Sequence, residues 1–137
     1  MATFLWDYDP KSERYACARS AIIDLSRDGL TGFDGAVYQG RGRAVISRSG
    51  LLLIEQGFEC DGPSGPTVDT TAFLQGAGVH DALYALLRAG VLPQVYRVRA
   101  DRVMRRLNRA YGMGAFRAWY TYQAVRLFGG SAARPAR

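Results

Sequence analysis

The chain has 137 residues, 48% of them apolar and 12% aromatic, so its length predicts one domain and its composition excludes intrinsic disorder. We expect neither a transmembrane helix nor a secretory signal, because no apolar run is long enough for the first and the N-terminus lacks the pattern of the second. The formal net charge of +6 comes almost entirely from arginine. It favours anionic partners such as nucleic acid or lipid headgroups, or it reflects only a codon bias.

The N-terminal half is rich in glycine and in short β-like runs. Strands are predicted at 20–25, 35–40, 43–47 and 51–60, and the sequence SRSGL between the last two predicts a hairpin turn. The sequence DGPSGP at 61–66 must form a loop, because two glycines and two prolines interrupt any regular element. Cys17 and Cys60 are too few for a disulfide framework. We interpret them as free thiols, with one disulfide as the alternative.

From about Thr71 the apolar residues repeat with a helical period. Helices are predicted over 71–89, 97–111 and 114–128, each followed or ended by glycine. The tail at 131–137 is predicted to be unstructured from its composition. The chain is therefore predicted to be a single α+β domain over 1–130. Antiparallel β hairpins at about 17–60 precede a three-helix core at about 71–129.

The second predicted helix is amphipathic. Its apolar residues share one stripe and are predicted to be buried: Ala100, Val103, Met104, Leu107 and Tyr111. Its basic residues share the opposite stripe: Arg102, Arg105, Arg106 and Arg109. We interpret this arginine stripe as a solvated face, with binding of lipid or nucleic-acid phosphates as the alternative. Asp101 lies between the stripes, where it either points inward toward a partner helix or pairs with Arg105.

The first predicted helix carries the chain's single histidine, His80, in the sequence GVHDALY. His80 and Tyr84 share a face of this helix, because they are four residues apart. Histidine titrates near neutrality and can take a proton from water. Asp101 can hydrogen-bond the far ring nitrogen of His80, and the Tyr84 hydroxyl can brace that carboxylate. A lone helical histidine is usually a structural residue, so the hypothesis of a site rests on the whole set.

Asp81 lies about 100° around the helix from His80, so it points into a neighbouring space where it can hold a cation. Calcium takes about six to eight oxygen ligands, often including backbone carbonyls. The loop sequence CDGPSGP, residues 60–66, is a source of such carbonyls.

The order of these motifs resembles the phospholipase A2 superfamily, especially its short microbial members. HDALY, then the aspartate of RADRVM, then AWYTYQAVRLFG carry the resemblance, which covers about 58–129. It implies that His80 is the general base of a calcium-dependent ester hydrolysis, supported by Tyr84 and Asp101. It also implies a set of calcium ligands: the Asp81 carboxylate and the carbonyls of Cys60, Gly62 and Ser64. The chain departs from that family in lacking its disulfides and in the prolines that stiffen the loop, Pro63 and Pro66.

A longer stretch, about 43–128, is similar to a phage and prophage family of uncharacterised small proteins. GFECDGPSGP, HDALY, RVRAD and AVRLFG carry this resemblance. It implies a viral gene and a component of the virion, such as a tail or baseplate protein, present in the particle or in the host cytoplasm during assembly. Expected partners are other phage particle proteins and host membrane phospholipid, and a homo-oligomer or ring stays open.

Three functions follow from the sequence. The first is calcium-dependent hydrolysis of host envelope lipids by a virion-borne enzyme. The second is a purely structural role in phage assembly, with a dormant site. The third, nucleic-acid binding through the arginine stripe, is the least favoured.

Overall fold

The computed structural model describes residues 6–10, 14–60 and 71–135. Within these residues, two antiparallel sheets are followed in the chain by four helices, so the predicted α+β class is confirmed. The strands are β1 (Trp6–Asp9), β2 (Arg14–Cys17), β3 (Ala21–Asp24), β4 (Gly35–Gln39), β5 (Gly42–Ile46), β6 (Leu51–Ile54) and β7 (Glu59–Cys60). The helices are α1 (Thr71–Arg88), α2 (Arg97–Ala110), α3 (Ala115–Phe128) and α4 (Gly130–Ala133).

The larger sheet has four strands in the order β3-β6-β5-β4. Alternate residues of β5 are fully buried, among them Ala44 and Ile46, because successive side chains of a strand point to opposite faces. The predicted hairpin turn joins β5 to β6: Ser47 N–H donates to the Leu51 carbonyl and Gly50 N–H to the Ser47 carbonyl. Gly50 has φ +90, and an added Cβ would meet the backbone of Ser26, so this turn requires glycine.

The predicted strand at 51–60 is wrong in its middle, where the chain leaves one sheet for the other. Phe58 N–H donates to the Glu55 carbonyl in a turn that contains Gly57 at φ +90. β7 then joins the smaller sheet, whose order is β1-β2-β7. The strands β1 and β2 were not predicted; each has only four residues, and their pairing runs from Trp6↔Cys17 to Asp9↔Arg14.

The three long helices agree with the prediction to within one residue at each end. The prediction of an unstructured tail is wrong for its first residues, because α4 packs on the molecule. Ala133 is fully buried, and its carbonyl accepts a hydrogen bond from Gln94 Nε2 at 2.8 Å. Arg88 Nη1 donates to the neighbouring Ala132 carbonyl at 2.8 Å. The amino-acid composition of the tail does not reveal long-range contacts of this kind.

Helix α1 lies at the centre of the molecule, between the larger sheet and α2. Residues 82–87 are buried without interruption, which is the pattern of a helix covered on all sides. One connected apolar core includes Ile54 and Phe58 from the β part and Leu83 and Leu107 from the helices. The apolar stripe of α2 is buried as predicted, except that Tyr111 is only half-buried.

Both cysteines are buried and neither forms a disulfide, which agrees with the first interpretation from the sequence. Burial raises the pKa of the Cys17 thiol, which donates to the Arg19 carbonyl at 3.0 Å. None of the described helices is long and apolar enough to cross a membrane.

Candidate functional site

The candidate site lies where α1 packs against α2. The two helices run antiparallel: Gly76 lies opposite Asn108, His80 opposite Asp101, and Tyr84 next to both Asp101 and Arg97. The spacing of four residues on α1 therefore places the imidazole and the phenol against the same position of α2. Both side chains are fixed by the backbone of one helix.

His80 and Asp101 form the central contact. The His80 Nε2 atom lies 2.7 Å from Asp101 Oδ1, and the Asp101 side chain is fully buried. An ionised carboxylate only accepts hydrogen bonds, so Nε2 is the donor and carries the proton. This assigns the lone pair of the neutral ring to Nδ1. The His80 side chain is 12% exposed, so part of it reaches solvent.

Asp101 stays ionised although it is buried. Burial by itself raises the pKa of its carboxyl group, but hydrogen bonds from three neighbouring side chains outweigh burial and hold the pKa below its usual value. Tyr84 is one of these donors: its hydroxyl donates to Asp101 Oδ1 at 2.6 Å. Burial, and then the Asp101 carboxylate, raise the pKa of Tyr84, so the phenol remains a protonated donor. The two contacts predicted for Asp101 from the sequence are present.

Two arginines at Asp101 were missed from the sequence. Arg126 Nη1, on α3, donates to Asp101 Oδ2 at 2.7 Å, and Arg97 Nη1 lies 3.7 Å from the same oxygen. Arg97 precedes Asp101 by four residues on α2, so helical spacing carried a signal for it. No local pattern connects Arg126 to Asp101, because the contact depends on how α3 packs.

Asp101 therefore adopts the inward-pointing alternative and does not pair with Arg105. The guanidinium of Arg105 lies over the ring of Tyr122, 5.6 Å from its centroid. Of the four stripe arginines, Arg106 is half-buried and binds the Asp28 carboxylate through two hydrogen bonds, of 2.6 and 2.9 Å. The other three are exposed, as both interpretations of the stripe require, whereas Arg106 is engaged within the molecule.

Asp81 is directed toward the strands. Its Oδ2 atom accepts a hydrogen bond of 3.0 Å from Gln39 Nε2 on β4, and the same nitrogen donates to the Glu59 carbonyl at 2.5 Å. The other end of the Gln39 amide accepts from Arg88 Nη2 at 2.9 Å, which fixes the orientation of the amide. No sequence motif marked Gln39 or Arg88.

The expected calcium ligands are only partly within the described residues. Asp81 lies against the strand that carries Cys60, because Gln39 joins it to Glu59, the residue before Cys60. Gly62 and Ser64 lie outside the described residues. Over residues 6–10, 14–60 and 71–135, no group of three or more His, Cys, Asp or Glu residues is arranged to hold a metal ion. The expected site contains one carboxylate and otherwise backbone carbonyls.

Comparison of the chain with protein-family models, with curated proteins and with solved structures found no match. The resemblances to phospholipases A2 and to a phage family therefore remain predictions from the motifs. Function is inferred below from the geometry around His80.

Proposed function

We propose that the chain is a hydrolase of carboxylic esters in which His80 is the general base, with phospholipids of a host envelope as its substrate class. One observation carries the proposal: the Nε2 atom of His80 is hydrogen-bonded to the buried carboxylate of Asp101. A buried charge is costly to maintain unless it is paired. Here the hydrogen-bonded Asp101 orients the imidazole and stabilises it when protonated, which is the arrangement that base catalysis needs.

The chemistry follows from the ring nitrogen that Asp101 leaves available. Nδ1 of His80 takes a proton from a water molecule as the water oxygen attacks the carbonyl carbon of the ester. The Asp101 carboxylate stabilises the resulting imidazolium through Nε2. His80 then returns the proton from Nδ1 to the departing alkoxide oxygen as the C–O bond breaks, which yields a carboxylic acid and an alcohol. Tyr84 and Arg126 hold Asp101 in position throughout.

The donor atoms near Asp81 fit calcium in their chemistry, because carboxylate and carbonyl oxygens are the ligands that this ion prefers. We propose that Asp81 and the carbonyls of Cys60, Gly62 and Ser64 hold it. Bound there, calcium would supply positive charge to the ester oxygen that becomes negative during attack. The amide of Gln39 donates to Oδ2 of Asp81, so an ion held by that oxygen would share it with Gln39 or displace the amide.

We further propose that the protein is encoded by a phage or prophage and acts as part of the virion. The order of GFECDGPSGP, HDALY and RVRAD along the chain supports this origin. A virion-borne esterase could help a particle to breach the host envelope. Detection of the protein by mass spectrometry in purified particles tests the location, and its absence from them would contradict it.

A structural role in phage assembly, with a dormant site, is the second candidate. The exposed aromatic residues of α3, among them Phe116 and Trp119, favour it because such side chains anchor neighbouring proteins. In this case the contacts around Asp101 would only join α1, α2 and α3. The same particles, with the His80→Gln protein in place of the wild type, should then assemble and infect normally.

The enzyme proposal is tested by release of fatty acid from phospholipid vesicles in the presence of calcium. We expect hydrolysis by the wild-type protein, its loss in His80→Gln, and unchanged hydrolysis in Arg19→Gln, an exposed control on the β side. Calorimetry with calcium separates the two centres: Asp81→Asn should lose binding, whereas His80→Gln should retain it. Absence of both hydrolysis and calcium binding in the folded wild-type protein would rule the proposal out.

A further inference from the structure

The positive charge of the chain is concentrated after Asp101. Eight of the 18 basic residues and none of the 12 acidic residues lie in 102–137. The first 101 residues therefore carry a small excess of acidic residues, and the net charge of +6 is due to α2, α3 and the segments that follow them. A net positive charge of this kind favours anionic partners.

The outer face of α3 is apolar. Ala118 and Thr121 are buried on the inner side of this helix, whereas the large side chains on its opposite side are exposed. We call these residues the α3 face: Phe116, Trp119, Tyr120 and Leu127. Two of them are largely exposed, with relative accessibilities of 75% for Phe116 and 73% for Leu127.

The aromatic members of the α3 face form a contiguous surface. The ring of Phe116 lies 6.1 Å from that of Trp119 and 5.6 Å from that of Tyr120, measured between centroids. Single exposed apolar side chains are common on protein surfaces, but a contiguous patch of them marks an interaction site. Covering the patch would remove an apolar area that now faces solvent.

Exposed arginines border the α3 face. The guanidinium of Arg105 lies over Tyr122 of α3, which places this part of the arginine stripe beside that helix. Arg102 and Arg109 share the stripe with Arg105, because they are three and four residues from it on α2, and both are exposed. The arginine stripe and α3 thus meet at Arg105 and Tyr122, and we take the α3 face and the three exposed arginines together as one surface of mixed aromatic and cationic character.

We propose that this surface binds membranes that contain anionic phospholipid. Aromatic side chains favour the boundary between headgroups and acyl chains, and arginines attract anionic headgroups. Leu127 favours lipid over nucleic acid, because nucleic-acid contacts would use the arginines and leave this apolar side chain exposed. Arg126 of α3 contacts Asp101, so the surface adjoins the helix contact that carries His80. The proposal goes beyond ester hydrolysis, since binding does not require an active His80.

Vesicle co-sedimentation tests the proposal independently of hydrolysis. The protein used is the full chain carrying His80→Gln, so that no lipid is consumed. We expect binding to vesicles of phosphatidylcholine mixed with phosphatidylglycerol, and at least about tenfold weaker binding to phosphatidylcholine alone. Equal binding to the two vesicles, or binding to neither, would overturn the proposal and leave the question of hydrolysis unaffected.

Matched variants then locate the surface. Replacing Arg102, Arg105 and Arg109 by glutamine should weaken binding to anionic vesicles by about a hundredfold. The control removes the same charge from the β side, at three exposed arginines: Arg19, Arg27 and Arg41. The control should change binding far less. An equal loss in the control would show a response to net charge alone and would refute this surface.

The apolar part is tested in the same way. Phe116→Ser with Leu127→Ser should weaken binding by at least about tenfold, because their burial in the membrane is lost. Ile22→Ser with Tyr38→Ser removes two exposed apolar side chains of the larger sheet and should have little effect. A duplex DNA of similar charge density serves as competitor. Tight DNA binding that leaves no vesicle binding would replace the lipid proposal by a nucleic-acid one.

Discussion

The Asp101 carboxylate has no exposed surface and accepts hydrogen bonds from His80 and Tyr84 on one oxygen and from Arg126 on the other. Each oxygen thus has a separate task. Oδ1 sets the orientation of the two side chains of α1, and Oδ2 ties α3 to the same point. The chemistry proposed for His80 and the packing of three helices depend on one residue.

Replacing Asp101 by asparagine should reduce hydrolysis by about a thousandfold, because the neutral amide no longer fixes the imidazole tautomer or stabilises the imidazolium. The free energy of unfolding should also fall by about 3 kcal/mol, because Arg126 loses its ionic partner. Tyr84→Phe removes a single donor, so it should lower the free energy of unfolding by only about 1 kcal/mol. Ester hydrolysis and urea unfolding measure the two effects, and unchanged hydrolysis in a folded Asp101→Asn protein would contradict the role.

Asp101 also predicts how stability depends on pH. Its pKa in the folded chain lies below the ordinary 3.8, so folding favours the ionised form. The resulting stabilisation is fully present above the ordinary pKa and is lost as the pH falls through the lower, folded-state pKa. Urea unfolding below about pH 4 should therefore show a steeper loss of stability in the wild-type protein than in Asp101→Asn. Parallel pH profiles for the two proteins would disprove this contribution.

The contact between α1 and α2 contains a second close approach, one helical turn before His80. A Cβ added to Gly76 would collide with Oδ1 of Asn108. Asn108 is fully buried, and neither its Oδ1 nor its Nδ2 finds a hydrogen-bond partner among the described residues. The two helices therefore approach each other closely at Gly76. The side-chain amide of Asn108 opposite it is costly to bury without a hydrogen-bond partner.

Gly76→Ala should destabilise the protein by about 1–3 kcal/mol, because the asparagine has no room to move in a packed interface. Asn108→Ala in the same chain should restore part of this stability, since it removes both the collision and the unpaired amide. Thermal unfolding of the two single variants and the double variant measures the coupling. Gly130→Ala, which adds a Cβ in a roomy place, is the control and should have little effect. Additive effects at Gly76 and Asn108 would exclude the collision.

The β part and the helices are joined at several points far apart in the chain. Asp28, in the turn after β3, binds Arg106 of α2, and Arg88 of α1 holds both Gln39 of β4 and the Ala132 carbonyl of α4. The C-terminal segment is thereby linked through Arg88 and Gln39 to the candidate calcium ligand. These polar contacts connect the larger sheet and the C-terminal segment to the long helices α1 and α2.

Removing residues 130–137 should lower the free energy of unfolding by about 2 kcal/mol, because the burial of Ala133 and its hydrogen bond from Gln94 are lost. Removing only 134–137 leaves α4 in place and should have almost no effect. Differential scanning calorimetry of the two shortened chains makes the comparison. Equal stability of both would mean that α4 contributes nothing to the fold.

The sequence alone determined the three long helices to within one residue, because periodicity and the glycines that end a helix act locally. It also determined that His80, Tyr84 and Asp101 could meet, since helical spacing places side chains on faces. The tertiary structure decided the rest. The strands β1 and β2 are close in the chain, but each has only four residues and therefore little pattern. The contacts that hold α4 and the contact between Arg126 and Asp101 join residues distant in the chain. Contacts of this kind depend on how finished elements pack, and neither local propensity nor periodicity carries that information.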